Sequence, residues 1–165
     1  MYGIGDKVVY SAQGVMEIVD ITDQEFGDVT RRYYVMKEYA SASPSLTYVP
    51  FDNETLVGQM KPLLTKEEIV EVVRAAKNSE PLEWIEENRA RAEAYKRILA
   101  SADRGMILSM IRSVYLTGKR REAEGKKNYI ADENIMKKAE KQISVEFSLV
   151  LGISEGEMRA FIDSI

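Results

Sequence analysis

Apolar residues recur at two different periods along the chain, and the change falls near residue 62. Before it, Lys7–Tyr10, Val15–Ile21, Tyr33–Lys37 and Leu46–Pro50 are short runs rich in β-branched and aromatic residues. Such runs fit a pleated, half-buried surface and predict strands. Turn formers separate them: Gln13-Gly14, Gly27-Asp28 and Ser41-Ala42-Ser43-Pro44-Ser45. Pro50 ends the last strand because it has no N–H to give to a ladder. Four or five strands in residues 1–62, with no helix between them, predict a small antiparallel barrel or a strongly curled sheet.

After residue 62 the apolar period becomes helical. Thr65-Lys66-Glu67-Glu68 has the spacing of a capping box and precedes Ile69, Val70, Val72, Val73 and Ala76. Ser79 is placed to cap a second helix, with Pro81 tolerated in its first turn and Ile85, Ala92, Tyr95 and Leu99 along one face. A third helix follows Asp103. A fourth runs from about Asp132 to a stop at Gly152, and Ser154-Glu155-Gly156-Glu157 opens a short last one. These stripes can bury one another as a compact bundle. The predicted chain is therefore α+β with two domains, a barrel over 1–62 and a helical bundle over 63–165. The boundary is a change of period, not a low-complexity linker.

Composition narrows the chemistry. The 165 residues contain no His and no Cys, which excludes His-based triads, cysteine nucleophiles, disulfides and the usual zinc sites. Carboxylates such as Glu67, Glu68 and Glu71, or Glu83, Glu86 and Glu87, lie at helix starts and on helix faces. There they serve as dipole partners and solvated groups sooner than as acid/base pairs. No enzyme, cofactor, metal or small-molecule substrate is expected. Gly3-Ile4-Gly5 lacks the preceding strand and following helix of a phosphate loop and reads as a turn. The first residues have no apolar signal core, and no apolar run approaches the roughly 20 residues of a membrane helix. A soluble, cytoplasmic protein with no membrane partner is the expectation.

The net charge of −4 hides an asymmetry. Residues 1–62 hold 5 basic and 9 acidic side chains, whereas residues 89–127 hold 11 basic and 4 acidic. A basic surface next to an acidic one is the footprint of a module that touches phosphate with one half. Solvation of helix faces explains such residues equally well, and Glu122 and Glu124 interrupt the densest run. Trp84, the one tryptophan, falls at the predicted start of the second helix. Either it packs on a neighbouring helix or on the barrel, or it is an exposed wedge able to enter a minor groove beside basic residues.

The order of these motifs resembles the CarD family of bacterial transcription regulators, and the first half also resembles the polymerase-interacting module of transcription-repair coupling factors. The residues that carry the resemblance are Gly5-Asp6-Lys7-Val8-Val9-Tyr10 with Gly14-Val15, then Tyr34-Val35-Met36-Lys37, and Leu46-Thr47-Tyr48-Val49-Pro50 with Asn53. Trp84 and a late helix containing Ala139-Glu140-Lys141-Gln142-Ile143, Glu146 and Leu149-Val150-Leu151 complete it. The resemblance implies a Tudor-like (SH3-like) barrel that binds the β subunit of RNA polymerase through the strand Leu46, Thr47, Tyr48, Val49, Pro50. It also implies a helical domain that contacts promoter DNA at the upstream edge of the bubble and helps keep the promoter open. Trp84 would be the wedge, and Arg89 is similar to a basic residue shortly after it in the family. Arg91, Lys96, Arg97, Lys119, Arg120 and Arg121, from the basic run, complete the expected DNA-contacting set. Tyr48 stands where some members have Arg, and Glu86 and Glu87 stand where basic residues often follow the wedge. The helix from Trp84 to Asp103 reads about four residues longer than in well-known members, so a shift of one turn would put Asn88 at the wedge position. The alternative reading is a module that binds polymerase, or another partner, without engaging DNA.

Overall fold

The computed structural model describes residues 1–42 and 45–165. Ser43 and Pro44, within the predicted 41–45 turn, lie outside the described residues. The chain divides into two compact units, Met1–Leu63 and Leu64–Ile165.

The first unit is a five-stranded antiparallel sheet. Its strands are β1 (Lys7–Tyr10), β2 (Val15–Phe26), β3 (Val29–Glu38), β4 (Leu46–Pro50) and β5 (Met60–Pro62), in the order β4-β3-β2-β1-β5. The sheet is open, with β4 and β5 at its edges, and this corrects the expected barrel. A short helix, α1 (Glu54–Gly58), lies between the two edge strands in the sequence. Asn53 starts that helix by accepting a hydrogen bond from the Leu56 N–H through its side chain. The segment had read as helix-free because five residues are too few to show a helical period. The side-chain alternation builds the core: Val8 pairs with Met16, Ile18 with Met36 and Tyr34 with Val49, and all six are buried. A bulge between Ile18 and Asp20 interrupts the β2–β3 register, which bends a strand locally. Beyond this, β2 and β3 run on as a hairpin around Gly27-Asp28, with Gly27 at φ +63°. The sequence pattern ends β2 at Ile21 and begins β3 only at Tyr33, because residues such as Thr22, Asp23, Gln24, Arg31 and Arg32 are polar and hide the period.

The second unit contains α2 (Lys66–Asn78), α3 (Asn88–Ser101), α4 (Arg104–Ala123), α5 (Ile130–Leu151) and α6 (Glu155–Asp163). Thr65 and Ser154 both form full capping boxes, and Asp103 caps α4 by accepting from the Met106 N–H. Gly152 ends α5 in the left-handed region at φ +68°. Ile69, Leu99, Ile107, Met110, Phe147 and Met158 bring all five helices into one buried cluster. No helix among the described residues is long and apolar enough to cross a membrane.

One helix start needs correction. Ser79 does not cap α3. Its hydroxyl donates back to the Ala76 carbonyl and closes α2. Glu80 precedes a proline and is biased toward extended backbone, and residues 80–86 carry no regular structure. The Leu82 N–H is instead satisfied by Ser113 Oγ of α4 at 2.9 Å. Helix α3 begins four residues after Trp84, with Glu87 as its cap. The apparent extra turn between Trp84 and Asp103 is therefore not helix, and Asn88 is its first helical residue.

Candidate functional site

Two regions carry the expected interaction residues. In the sheet unit, β4 pairs with β3 on one side only, leaving its other edge without a ladder partner among the described residues. Leu46 and Tyr48 point outward at 52% and 46% exposure, whereas Val49 is fully buried. Val49 therefore belongs to the core rather than to a contact surface, and Thr47 and Pro50 are partly exposed. Tyr48 continues into a row of rings across the sheet face, with Tyr48 to Tyr33 and Tyr33 to Phe26 each 6.2 Å apart, edge to face. An unpaired edge flanked by exposed apolar side chains can receive a partner through backbone hydrogen bonds and side-chain pockets.

In the helical unit, Trp84 is partly buried and sits in the irregular segment before α3. The Arg91 guanidinium carbon lies 4.4 Å from a ring centroid of its indole. Arg91 is only 1% exposed and pairs with Asp132 of α5 at 2.9 Å. Its remaining N–H groups donate to the Ile85 carbonyl at 2.8 Å and to Asn88 Oδ1 at 2.9 Å. This placement corrects the expectation for Arg91, because a buried, fully engaged guanidinium cannot contact a phosphate. Tyr129 lies on the same cluster, 4.7 Å from Arg91 and 4.1 Å from Arg121. Arg121 also donates to the Lys127 carbonyl at 2.7 Å and to the Tyr129 hydroxyl at 3.2 Å, which ties down the loop after α4. Trp84, Tyr115, Lys119, Arg121 and Tyr129 line a groove of about 190 Å³. Tyr115 is 48% exposed there, with the Lys119 ammonium 5.6 Å from its ring.

The structure thus brings together Trp84, Arg91, Lys119 and Arg121. Arg89, Lys96, Arg97 and Arg120 are exposed and lie outside that groove's lining. Much of the basic run is used internally. Arg104 is buried against Glu146, Arg112 donates to the Ala76 and Ser79 carbonyls, and Lys119 and Lys126 pair with Glu122 and Glu124. Glu87 is equally committed: its two carboxylate oxygens accept from the Arg89 and Ala90 N–H groups, which hold its carboxyl below the usual value. Tyr95, behind the cluster, has its phenol pushed up by burial and then by the Asp132 charge. Sequence reasoning missed Tyr129 and Asp132, because the Arg91–Asp132 pair spans 41 residues and no local spacing signals it.

The family model of the CarD-like/TRCF RID domain matches residues 2–63, which covers the sheet unit with its short α1 and none of α2 to α6. That unit is an RNA polymerase-interacting module. No curated protein matches the chain.

Proposed function

We propose that this chain is a non-enzymatic transcription regulator that binds the β subunit of RNA polymerase through the β4 edge and contacts promoter DNA through its helical unit, stabilising the open complex. The observation that carries the reading is a polymerase-interacting domain joined to a helical unit whose lone Trp84 stands at a groove lined by Lys119. The indole offers a flat apolar face to a base step, and Lys119 at the groove, with the exposed Arg89, Lys96, Arg97 and Arg120 outside it, supplies cations for phosphates. Unstacking a step costs a few kcal/mol, so such a wedge acts mainly where the duplex is already opening. Glu87 is turned onto the α3 N-terminus, whose positive end offsets part of its charge.

A second reading has its own observation: with Arg91, Arg104, Arg112 and Arg121 spent inside the unit, the phosphate footprint shrinks, which favours a module that binds polymerase without DNA. Salt separates the two. Each phosphate contact lowers the log affinity by about 0.9 per log unit of salt for duplex DNA. Affinity of the full chain for polymerase is therefore expected to rise on adding forked promoter DNA at low salt, and to lose that gain as salt increases. No gain at low salt would favour the polymerase-only reading.

A further inference from the structure

We infer that Arg91 is the positioning residue of Trp84: a buried clamp, anchored on α5 by Asp132, that fixes the orientation in which the indole is presented. This rests on the proposed role of Trp84 in DNA contact and adds to it the means by which the wedge is held. Residues 80–86 have no helix or strand to hold them, and a side chain on such a segment would ordinarily sample many orientations. Arg91 removes that freedom from two directions. Its guanidinium carbon lies over the indole, 4.4 Å from a ring centroid, and Nη1 donates to the Ile85 carbonyl at 2.8 Å, one residue from Trp84. The clamp is itself held at every guanidinium nitrogen. Nε donates to both Asp132 oxygens at 3.0 and 3.1 Å, Nη2 donates to Asn88 Oδ1, and the Tyr129 ring closes the cluster at 4.7 Å.

Lysine cannot replace this arrangement. Stacking and a fork of fixed donors need a planar guanidinium, whereas an ammonium supplies charge alone. The charge at position 91 would survive in a lysine variant while the geometry would not.

Trp84 is the only tryptophan, so fluorescence excited at the red edge, where tyrosine does not absorb, reads this site alone. In Arg91→Lys and Asp132→Asn, acrylamide quenching of Trp84 is expected to rise at least twofold while the melt stays cooperative. Polymerase binding should be unchanged, and the DNA-dependent gain should fall to the level of Trp84→Ala. Ile143→Val, a core change elsewhere on α5, should lower the melting temperature without altering quenching. In the unaltered protein, the Arg91 guanidinium protons should exchange slowly and show an indole ring-current shift, a readout that requires no variant to fold. Rapid exchange without that shift, or a folded Arg91→Lys protein with wild-type quenching, would overturn the inference. If Trp84→Ala leaves the DNA effect intact while Arg91→Lys still loosens the indole, the clamp stands and the DNA reading fails.

Discussion

The two units differ in whether charge enters the core. In the sheet unit the buried residues are apolar or tyrosine, and the ion pairs Arg31–Asp52 and Arg32–Asp23 lie on the surface with half or more of each side chain exposed. In the helical unit, Arg91–Asp132 and Arg104–Glu146 are buried, at 8% exposure or less. A strand needs no such device for specificity, because slipping its register by one residue turns every apolar side chain to solvent. Helices sharing an apolar core can slide or rotate at lower cost. A buried pair with all its hydrogen bonds met can penalise the wrong arrangements, even where it adds little net stability. Glu146 shows the degree of satisfaction required: its carboxylate takes Arg104 through two nitrogens and the Leu64 N–H as well.

The contrast can be broken most severely at Arg104. Arg104→Leu strands the Glu146 charge in the interior, and the loss is expected to be about 3–5 kcal/mol in chemical denaturation. Ile18→Val in the sheet core removes one methylene from a site with no polar atom to strand, so a smaller loss of about 0.5–1.5 kcal/mol is expected. Glu87→Gln sharpens the picture through pH. The folded carboxyl is held below its usual 4.5, so its contribution is present above that value and lost as pH falls through the depressed one. The variant should melt below the wild type at neutral pH and converge with it in acid. Asp23→Asn, at an exposed pair, should leave the melt unchanged, and a clear loss there would erase the distinction between the units.

What the sequence disclosed follows from the range of the interactions involved. Thr65, Asp103, Gly152 and Ser154 act within one helical turn, and their roles were legible from spacing alone. The β4 boundaries were legible too, because β-branched and aromatic residues meet a proline at Pro50. The start of α3 was misread because the Leu82 N–H and the Ser79 hydroxyl found partners that no local pattern names. The site suffered most from this. A charge count treats Arg91, Arg104 and Arg121 as surface cations, and only tertiary structure reveals that a carboxylate or a carbonyl already holds each one.

The most direct test is the lifetime of open promoter complexes formed by RNA polymerase with the full chain, comparing wild type and Trp84→Ala. The wild-type chain is expected to lengthen the lifetime. The variant should still fold and bind polymerase, losing about 2 kcal/mol of stability with the desolvated cation–π contact, and give little or no lengthening. A folded, polymerase-bound Trp84→Ala chain that lengthens the lifetime as much as wild type would contradict the proposed role of the helical unit.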